Sequence, residues 1–564
     1  MQWLGHCPAP ASRLSVGVLC CILVLATPWL LFSQQSQQYF LDRVQSTPSN
    51  VTALESWPYV EVVTPKDRNV WPYRVFRSSP LTPPTLNVTY NRGELADGYL
   101  FFTPGNRSWY LTGQKQGGPF IIGTDNELVY HFDETLASHD FRVQDINDEP
   151  HLIFWRGERA IGHGYGNLVI IDSEYQETRL GTDTPIQWMA MVEERIPPGF
   201  TDFHENQMTS RGTILVTAYN DTFTDLSPIG GPRDGAVVDS VVLEIDIKTG
   251  ETVFVWSALE HVPLQASKLP ITSPNANGTV GTPWDHFHIN SIQDLPEGLL
   301  ISGRHTWAIY LVSRETGDII WTLDGSGEGE GDFAPLPEEG QFRWQHHARI
   351  YNRTDDSTYM SLFDNHFMKE VNQTRATRGL ILELPLPPDP SRNPRVIASL
   401  ETSEGVFSDS QGSVDSALSN GNALVGHGPV PIIREFGPAE DGMELRWEAR
   451  FGFNDRAMTY RAFKCVWHGT PRLGGPSLTI EATEQLPEGP LTVVRAYVSW
   501  NGATDVEEWN VYTKEPSARR LIGKAMRRGF ETVFDVDVPT QSPCIEVAAV
   551  QKGSEIRYSN IACL

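Results

Sequence analysis

Three short segments of this chain set histidine beside a carboxylate, an amide or an arginine: Asp202-Phe-His-Glu205, Trp284-Asp-His-Phe-His-Ile-Asn-Ser291 and Trp344-Gln-His-His-Ala-Arg349. Ser302-Gly-Arg-His305 is a fourth polar element. A neutral imidazole is a nucleophile or a base, an imidazolium an acid, and a guanidinium a fixed fork for an oxyanion. Taken alone, any one of these histidines is more often a hydrogen-bonded core residue than a catalyst. Their recurrence shifts the balance, because each segment precedes or closes a strand-like run such as Gly212-Thr-Ile-Leu-Val or Gly298-Leu-Leu-Ile-Ser. Side chains at equivalent places in radially repeated sheets converge on one axis. Local spacing gives no support to metal or nucleotide chemistry. The His and Asp residues at 285–288 lack the i, i+4 geometry of a zinc protease, and there is no Cys-x-x-Cys, no phosphate loop and no Gly-x-Ser-x-Gly elbow. No metal and no cofactor is expected.

The elements that must position these groups read as β-strands. Short apolar runs bounded by Gly, Asn, Asp or Pro recur from about residue 98, with little helical periodicity. A weak internal repeat relates Leu243 to Trp256, Leu311 to Trp321 and Glu435 to Trp447: a strand, a turn containing Gly, and a second strand ending on Trp. A four-stranded unit repeated with variable insertions is the signature of β-propeller blades. From residue 471 to 564 strands recur every 8 to 15 residues, as in an immunoglobulin- or fibronectin-like β-sandwich with Trp500 and Trp509 in its core. The expectation is an all-β chain: a targeting segment over 1–33, a lead-in extension over 34–90, a propeller over 91–470 and the sandwich over 471–564.

Composition and compartment narrow the partners. With 44 Lys and Arg against 70 Asp and Glu, a formal charge of −26 gives no basic face for phosphates, so nucleic acid is excluded. The apolar run Leu14 to Phe32 reads equally as a cleaved signal peptide or a single-pass membrane anchor, and both deliver the chain to the secretory pathway. Sequons at Asn50, Asn87, Asn106, Asn220, Asn277, Asn352 and Asn372 agree with that route, as does a disulfide between Cys544 and Cys563 closing a hairpin, with Cys465 left over. A secreted or membrane-anchored, glycosylated monomer is expected.

The succession His-Glu, Trp-Asp-x-Phe-His-Ile-Asn-Ser-Ile, Ile-Ser-x-Arg-His-Thr, Thr-Gly-x-Ile-Ile-Trp, Phe-x-Trp-Gln-His-x-Ala-Arg, Ser-Leu-Phe-Asp-Asn, Tyr-Arg-Ala-Phe-Lys and Trp-Asn-Gly-Ala-Thr resembles the fungal branch of the arylsulfotransferase family over roughly residues 55 to 560. The resemblance implies a six-bladed propeller. It implies transfer of a sulfuryl group between phenolic compounds through a sulfated histidine, without a nucleotide donor. Carried over by position, His346 matches the nucleophile, His288 and Asn290 the His-x-Asn element, Arg304 the sulfate-binding arginine and His204 the first channel histidine. His305, His347, His427 and Asn365 are expected to line the substrate site, which would take an aryl sulfate or a small phenol.

Three positions depart from the family pattern. His347 stands where Asp is usual, and is either a second nucleophile or an outward side chain. Asn206 replaces an aromatic. His427 replaces Trp between two glycines, as a further channel imidazole or a packing substitute. Two other readings stay open: acid-base chemistry on an aromatic or polyketide-like metabolite in the same channel, or a non-catalytic, glycosylated binding propeller.

Overall fold

The computed structural model describes residues 51–107, 113–160, 162–183, 199–272, 276–366, 375–483, 489–514 and 519–564. The apolar run 14–32, Asn50 and Asn372 lie outside them. The chain is nearly all β. Four antiparallel sheets follow one another in strict chain order, four strands each, over 137–180, 206–257, 289–324 and 346–400; they are called here sheets 2, 3, 4 and 5. Sheet 6 covers 413–450 and gains Asn87–Asn91 on its outer edge. Sheet 1 takes Tyr99–Phe102, Phe120–Ile122 and Leu128–His131 from early in the chain and Ala462–Cys465 from far downstream as its first strand.

Six hydrophobic clusters hold these sheets together, and each cluster is shared by two sheets. Phe101 and Phe154 join sheets 1 and 2; Ile153 and Leu243 join 2 and 3; Trp256 and Ile301 join 3 and 4. Leu311 and Leu382 join 4 and 5, Phe363 and Val425 join 5 and 6, and Ile433 joins sheet 6 back to Phe102 of sheet 1. Successive side chains of a strand point to opposite faces, so a strand covered on both sides must be apolar throughout. Gly298–Gly303 shows this: Leu299 and Ile301 face sheet 3, while Leu300 faces sheet 5. The repeated Trp residues sit on the fourth strands of sheets 3, 4 and 6. Trp256 also donates its indole N–H to the Gly317 carbonyl in the turn of the next sheet, at 3.0 Å.

The first strands of the six sheets touch in turn, and that of sheet 6 touches that of sheet 1. Where they meet, a buried ionic network replaces the apolar core. Arg461 donates to Asp140 at 2.8 Å, to Glu205 at 3.0 Å and to the carbonyls of His204 and Asn290 at 2.8 Å each. Glu205 also accepts from Arg142 at 2.9 Å and from Arg349 at 2.5 Å. Asn206, at the position that departs from the family pattern, donates its backbone N–H to Asp140 and receives Arg142 on its carbonyl.

Two more sheets, built mainly from 477–564, share one core around Trp500, Trp509, Val536 and Val547. Ser56–Pro58 pairs with Glu531–Pro539, and Leu54 packs on that core, so the lead-in contributes to these sheets rather than merely extending from the chain. Cys544 and Cys563 form the disulfide, and Cys465 carries a free thiol. Among the described residues no helix is long and apolar enough to cross a membrane.

Several imidazoles are core residues. His139 lies against Phe203 and Tyr460, His347 against Phe463 with Nδ1 on the Val414 backbone, and His427 against Phe363 and Arg434. Burial, reinforced by neighbouring arginines, pushes all three well below the ordinary imidazole range.

Two outcomes are expected. Arg461→Ala leaves Asp140 and Glu205 short of a partner in the interior, and should cost about 3–5 kcal/mol in urea unfolding. The neutral imidazoles give an acid-sensitive fold: below pH 6.5 the unfolded chain binds protons that the native state refuses, so stability falls as pH falls. Each such group removes about 1.4 kcal/mol per pH unit, and a melting temperature that holds steady from pH 7 to 5 would contradict this.

Candidate active site

The sheets deliver the polar segments to one place through bulges at the starts of first strands. Register shifts fall between His139 and Arg142, between Ile289 and Ser291, and between His346 and Arg349. A bulge re-aims the side chains beside it. Left-handed backbone accompanies the bulges at Asp140, His288, Trp344 and His347, with φ of 56°, 56°, 55° and 53°. Such conformations are costly for residues with a Cβ and collect at functional sites.

Arg304, His204, His288 and His305 form one buried group. His204 donates Nδ1–H to Asp202 and His288 donates Nδ1–H to Asp285, each at 2.5 Å. The His204 and His288 rings lie edge to face, centroids 4.8 Å apart, and His305 is 4.9 Å beyond His288. Arg304 can only donate, so its 2.6 Å contact fixes His305 Nε2 as an acceptor, and His305 Nδ1–H goes to the Asp285 carbonyl. Burial holds His204 and His288 below their ordinary range and brings His305 down to about 4. Burial would raise the carboxyls of Asp202 and Asp285, but the surrounding imidazoles overcome it and keep both ionised.

His346 lies within the electrostatic reach of Arg304. Its Nδ1–H is held by Asn365 Oδ1 at 2.7 Å, and Asn365 is fixed in turn because its amide donates to the Ser408 and Gln411 carbonyls at 3.1 Å each. That leaves the lone pair on Nε2, which accepts from the Gln411 backbone N–H at 3.0 Å. The same segment receives Arg304, whose Nη2 donates to the Asp409 carbonyl at 2.9 Å. Residues 408–412 therefore cap both groups. Gln411 is left-handed at φ 60°, and a side chain at Gly412, with φ 104°, would strike the Phe363 ring. Burial first, then Arg304, keeps His346 neutral, well below its ordinary range.

The structure thus brings together His204, His288, Arg304, His305, His346 and Asn365. Asn290 is buried beside them but donates to the Gln345 carbonyl at 2.6 Å, tying sheet 4 to sheet 5. The two histidines that depart from the family pattern, His347 and His427, are both buried. His347 is neither outward-facing nor beside His346's partners: the bulge turns it the opposite way, onto Phe463 and toward Arg142 and Arg349. His427 packs in place of an aromatic on Phe363, with Nε2 facing Arg434 at 3.3 Å. Of the sequon asparagines, Asn87 and Asn352 are exposed and Asn106, Asn220 and Asn277 half-buried.

Residues that spacing did not single out also enter. His163, at the start of the third strand of sheet 2, lies 3.2 Å from Asp285 Oδ2, with its ring 4.1 Å from Tyr219 and 5.0 Å from His288. Long hairpins carry His163 and Tyr219 inward from second and third strands, whereas the sequence directs attention to first strands. Two trios, His163 with Asp202 and His204, and His163 with Asp285 and His288, place ligand atoms within 4.8 Å of one another and could hold a metal ion. Surface clefts of about 690 and 720 Å³ lie elsewhere, around Gln207, Met208 and Ser210.

Comparison with known proteins agrees with the residue pattern. A family model described as arylsulfotransferase (ASST) matches residues 142–452, from the first strand of sheet 2 through the end of sheet 6. No curated protein matches the chain. Solved structures similar to part of it include a polysaccharide lyase of family PL25, an ulvan lyase, at 10% identity over 67% of this chain and 84% of that one, TM-score 0.31. Another is sucrose-6-phosphate hydrolase from Lactobacillus gasseri, at 10% identity over 76% of this chain and 84% of that one, TM-score 0.25. At such scores neither informs the arrangement of sheets or the activity. The family match spans more than half of the chain and contains His204, His288, Arg304 and His346, and the chain belongs to the arylsulfotransferase family.

Proposed function

We propose that this protein transfers a sulfuryl group from an aryl sulfate to a phenol through a sulfohistidine on His346. The observation that carries the reading is the state of that ring: Nδ1–H is fixed on Asn365, so the lone pair of the neutral ring lies on Nε2, where it accepts from the Gln411 N–H, and Arg304 helps hold the ring neutral. Attack by Nε2 on sulfur would form the N–S bond as the S–O bond to the aryl oxygen breaks. The phenoxide leaves, and in the second step an acceptor phenol takes the sulfuryl group as the N–S bond breaks. Charge spreads over the sulfuryl oxygens in a loose transition state, so positioning and a fixed cation matter most. Arg304 has that role, and His204 and His288, with Nδ1 committed to carboxylates, are placed to handle the phenolic oxygen.

The reading extends to fold and compartment. The six sheets are proposed as blades of a propeller, supported by core clusters that run from sheet 1 to sheet 6 and back. The two sheets around Trp509 are proposed as a β-sandwich, and the chain as a monomer of the fungal branch. Passage through the secretory pathway, by signal peptide or anchor, is supported by the 14–32 run, the sequons and the disulfide. The imidazole–carboxylate pairs His204–Asp202 and His288–Asp285 also suit acid-base chemistry on a phenolic metabolite. Arg304-dependent binding of a phenol with no turnover of any aryl sulfate would select that reading instead.

Incubation with a sulfur-labelled aryl sulfate, acid-free digestion and mass spectrometry should place the label on His346. His346→Ala should abolish labelling and turnover while leaving the far-ultraviolet spectrum unchanged; label retained in that variant refutes the assigned nucleophile. Asn365→Ala removes one acceptor from the ring and should slow labelling about tenfold, equivalent to ~1.4 kcal/mol, with little change in aryl sulfate affinity.

A further inference from the structure

The group His163, Asp202, His204, Asp285 and His288 is more than the acid-base pairs that sulfuryl transfer calls for. All five side chains are buried, and they come from the third strand of sheet 2 and the segments leading into sheets 3 and 4. The ligand atoms of His163, Asp202 and His204 lie within 4.8 Å of one another, as do those of His163, Asp285 and His288. Since His204 and His288 give Nδ1–H to Asp202 and Asp285 at 2.5 Å each, Nε2 is the nitrogen each ring has left to ligate. Around the three imidazoles are aromatic rings, with Tyr219 against His163 and Phe203 stacked on His204 at 4.3 Å.

Charge separates this group from the other buried carboxylates. Asp140 and Glu205 are met by Arg142, Arg349 and Arg461. Asp202 and Asp285 are surrounded by imidazoles, Thr217 and backbone amides. Buried carboxylates are ordinarily paired with a cation or bound to a metal. A sulfate ester entering here would meet two anions, with Arg304 as the neighbouring guanidinium. A dication would reverse that sign.

We propose that His163, Asp285 and His288 bind one divalent first-row transition-metal ion, with Asp202 and His204 forming a second trio that shares His163. Imidazole nitrogen with carboxylate oxygen is a donor set for ions of the zinc, manganese or iron class rather than for calcium. Carboxylates that also receive an imidazole N–H fix ring orientation at such centres. The inference rests on the proposed reaction in one respect: an ion held by His288 would take over the part given there to that imidazole, placing positive charge where a phenolic oxygen acquires negative charge.

The full-length protein, stripped with EDTA and dialysed, is titrated with Zn²⁺ by calorimetry and with Co²⁺ by visible absorption, and the untreated protein is assayed for metal by mass spectrometry. Saturation at one equivalent and ligand-field bands of nitrogen- and oxygen-bound Co²⁺ are expected. His163→Gln and Asp285→Asn should weaken binding at least about tenfold, and His346→Ala should bind as the parent does. Near-ultraviolet dichroism identifies variants that keep the fold. No saturable binding, or binding unaltered in folded His163→Gln, overturns the site. Sulfation of His346 in a protein that binds no metal overturns the metal site alone, and bound metal without sulfation overturns the reaction alone.

Discussion

The arrangement depends on the ion network in which Arg461 meets Asp140 and Glu205 while its second nitrogen spans the carbonyls of His204 and Asn290. Taking charges out of water is expensive, and a buried pair is repaid only when its hydrogen bonds are nearly complete. Here the geometry achieves that by drawing on first strands, or the residues just ahead of them, in sheets 1, 2, 3, 4 and 5. A network of this kind constrains register more than an apolar contact does, because a guanidinium tolerates little displacement. The carbonyl of His204 is one of its acceptors, so the network sets a candidate site residue directly. It also explains why Tyr-Arg-Ala-Phe-Lys, His-Glu and His-x-Ala-Arg belong to one pattern although they lie far apart in the chain: Arg461, Glu205 and Arg349 are partners.

Much of the fold was legible because period and turn chemistry are local. The repeats ending at Trp256, Trp321 and Trp447 are the third-to-fourth strand hairpins of sheets 3, 4 and 6, and the buried strands are apolar throughout because each is covered on both faces. Pairings between distant segments were not legible. Ala462–Cys465 beside Tyr99–Phe102, and Ser56–Pro58 beside Glu531–Pro539, depend on how the whole chain returns on itself. Nothing in a short window records that closure.

In the candidate site, residue type singled out His204, His288, Arg304 and His346, but not their partners or directions. Whether adjacent histidines point the same way is decided by the bulge at 346–349, which sends His346 to Asn365 and His347 to Phe463. His163 was invisible for a different reason. It enters from a third strand, on a hairpin long enough to reach the centre, and strand length is among the least determined quantities in a sequence.

The cap over His346 bears on how such a site could work. Gln411 N–H occupies the lone pair that would attack sulfur, and Asp409 C=O occupies the guanidinium that would hold the sulfuryl oxygens, so one segment satisfies both in the absence of substrate. Leaving them bare in a buried place would cost more than leaving them paired. Under the proposed reaction a sulfate ester would have to displace 408–412: its oxygens would replace the Asp409 carbonyl on Arg304, while approach of sulfur to Nε2 would cost the Gln411 N–H its acceptor.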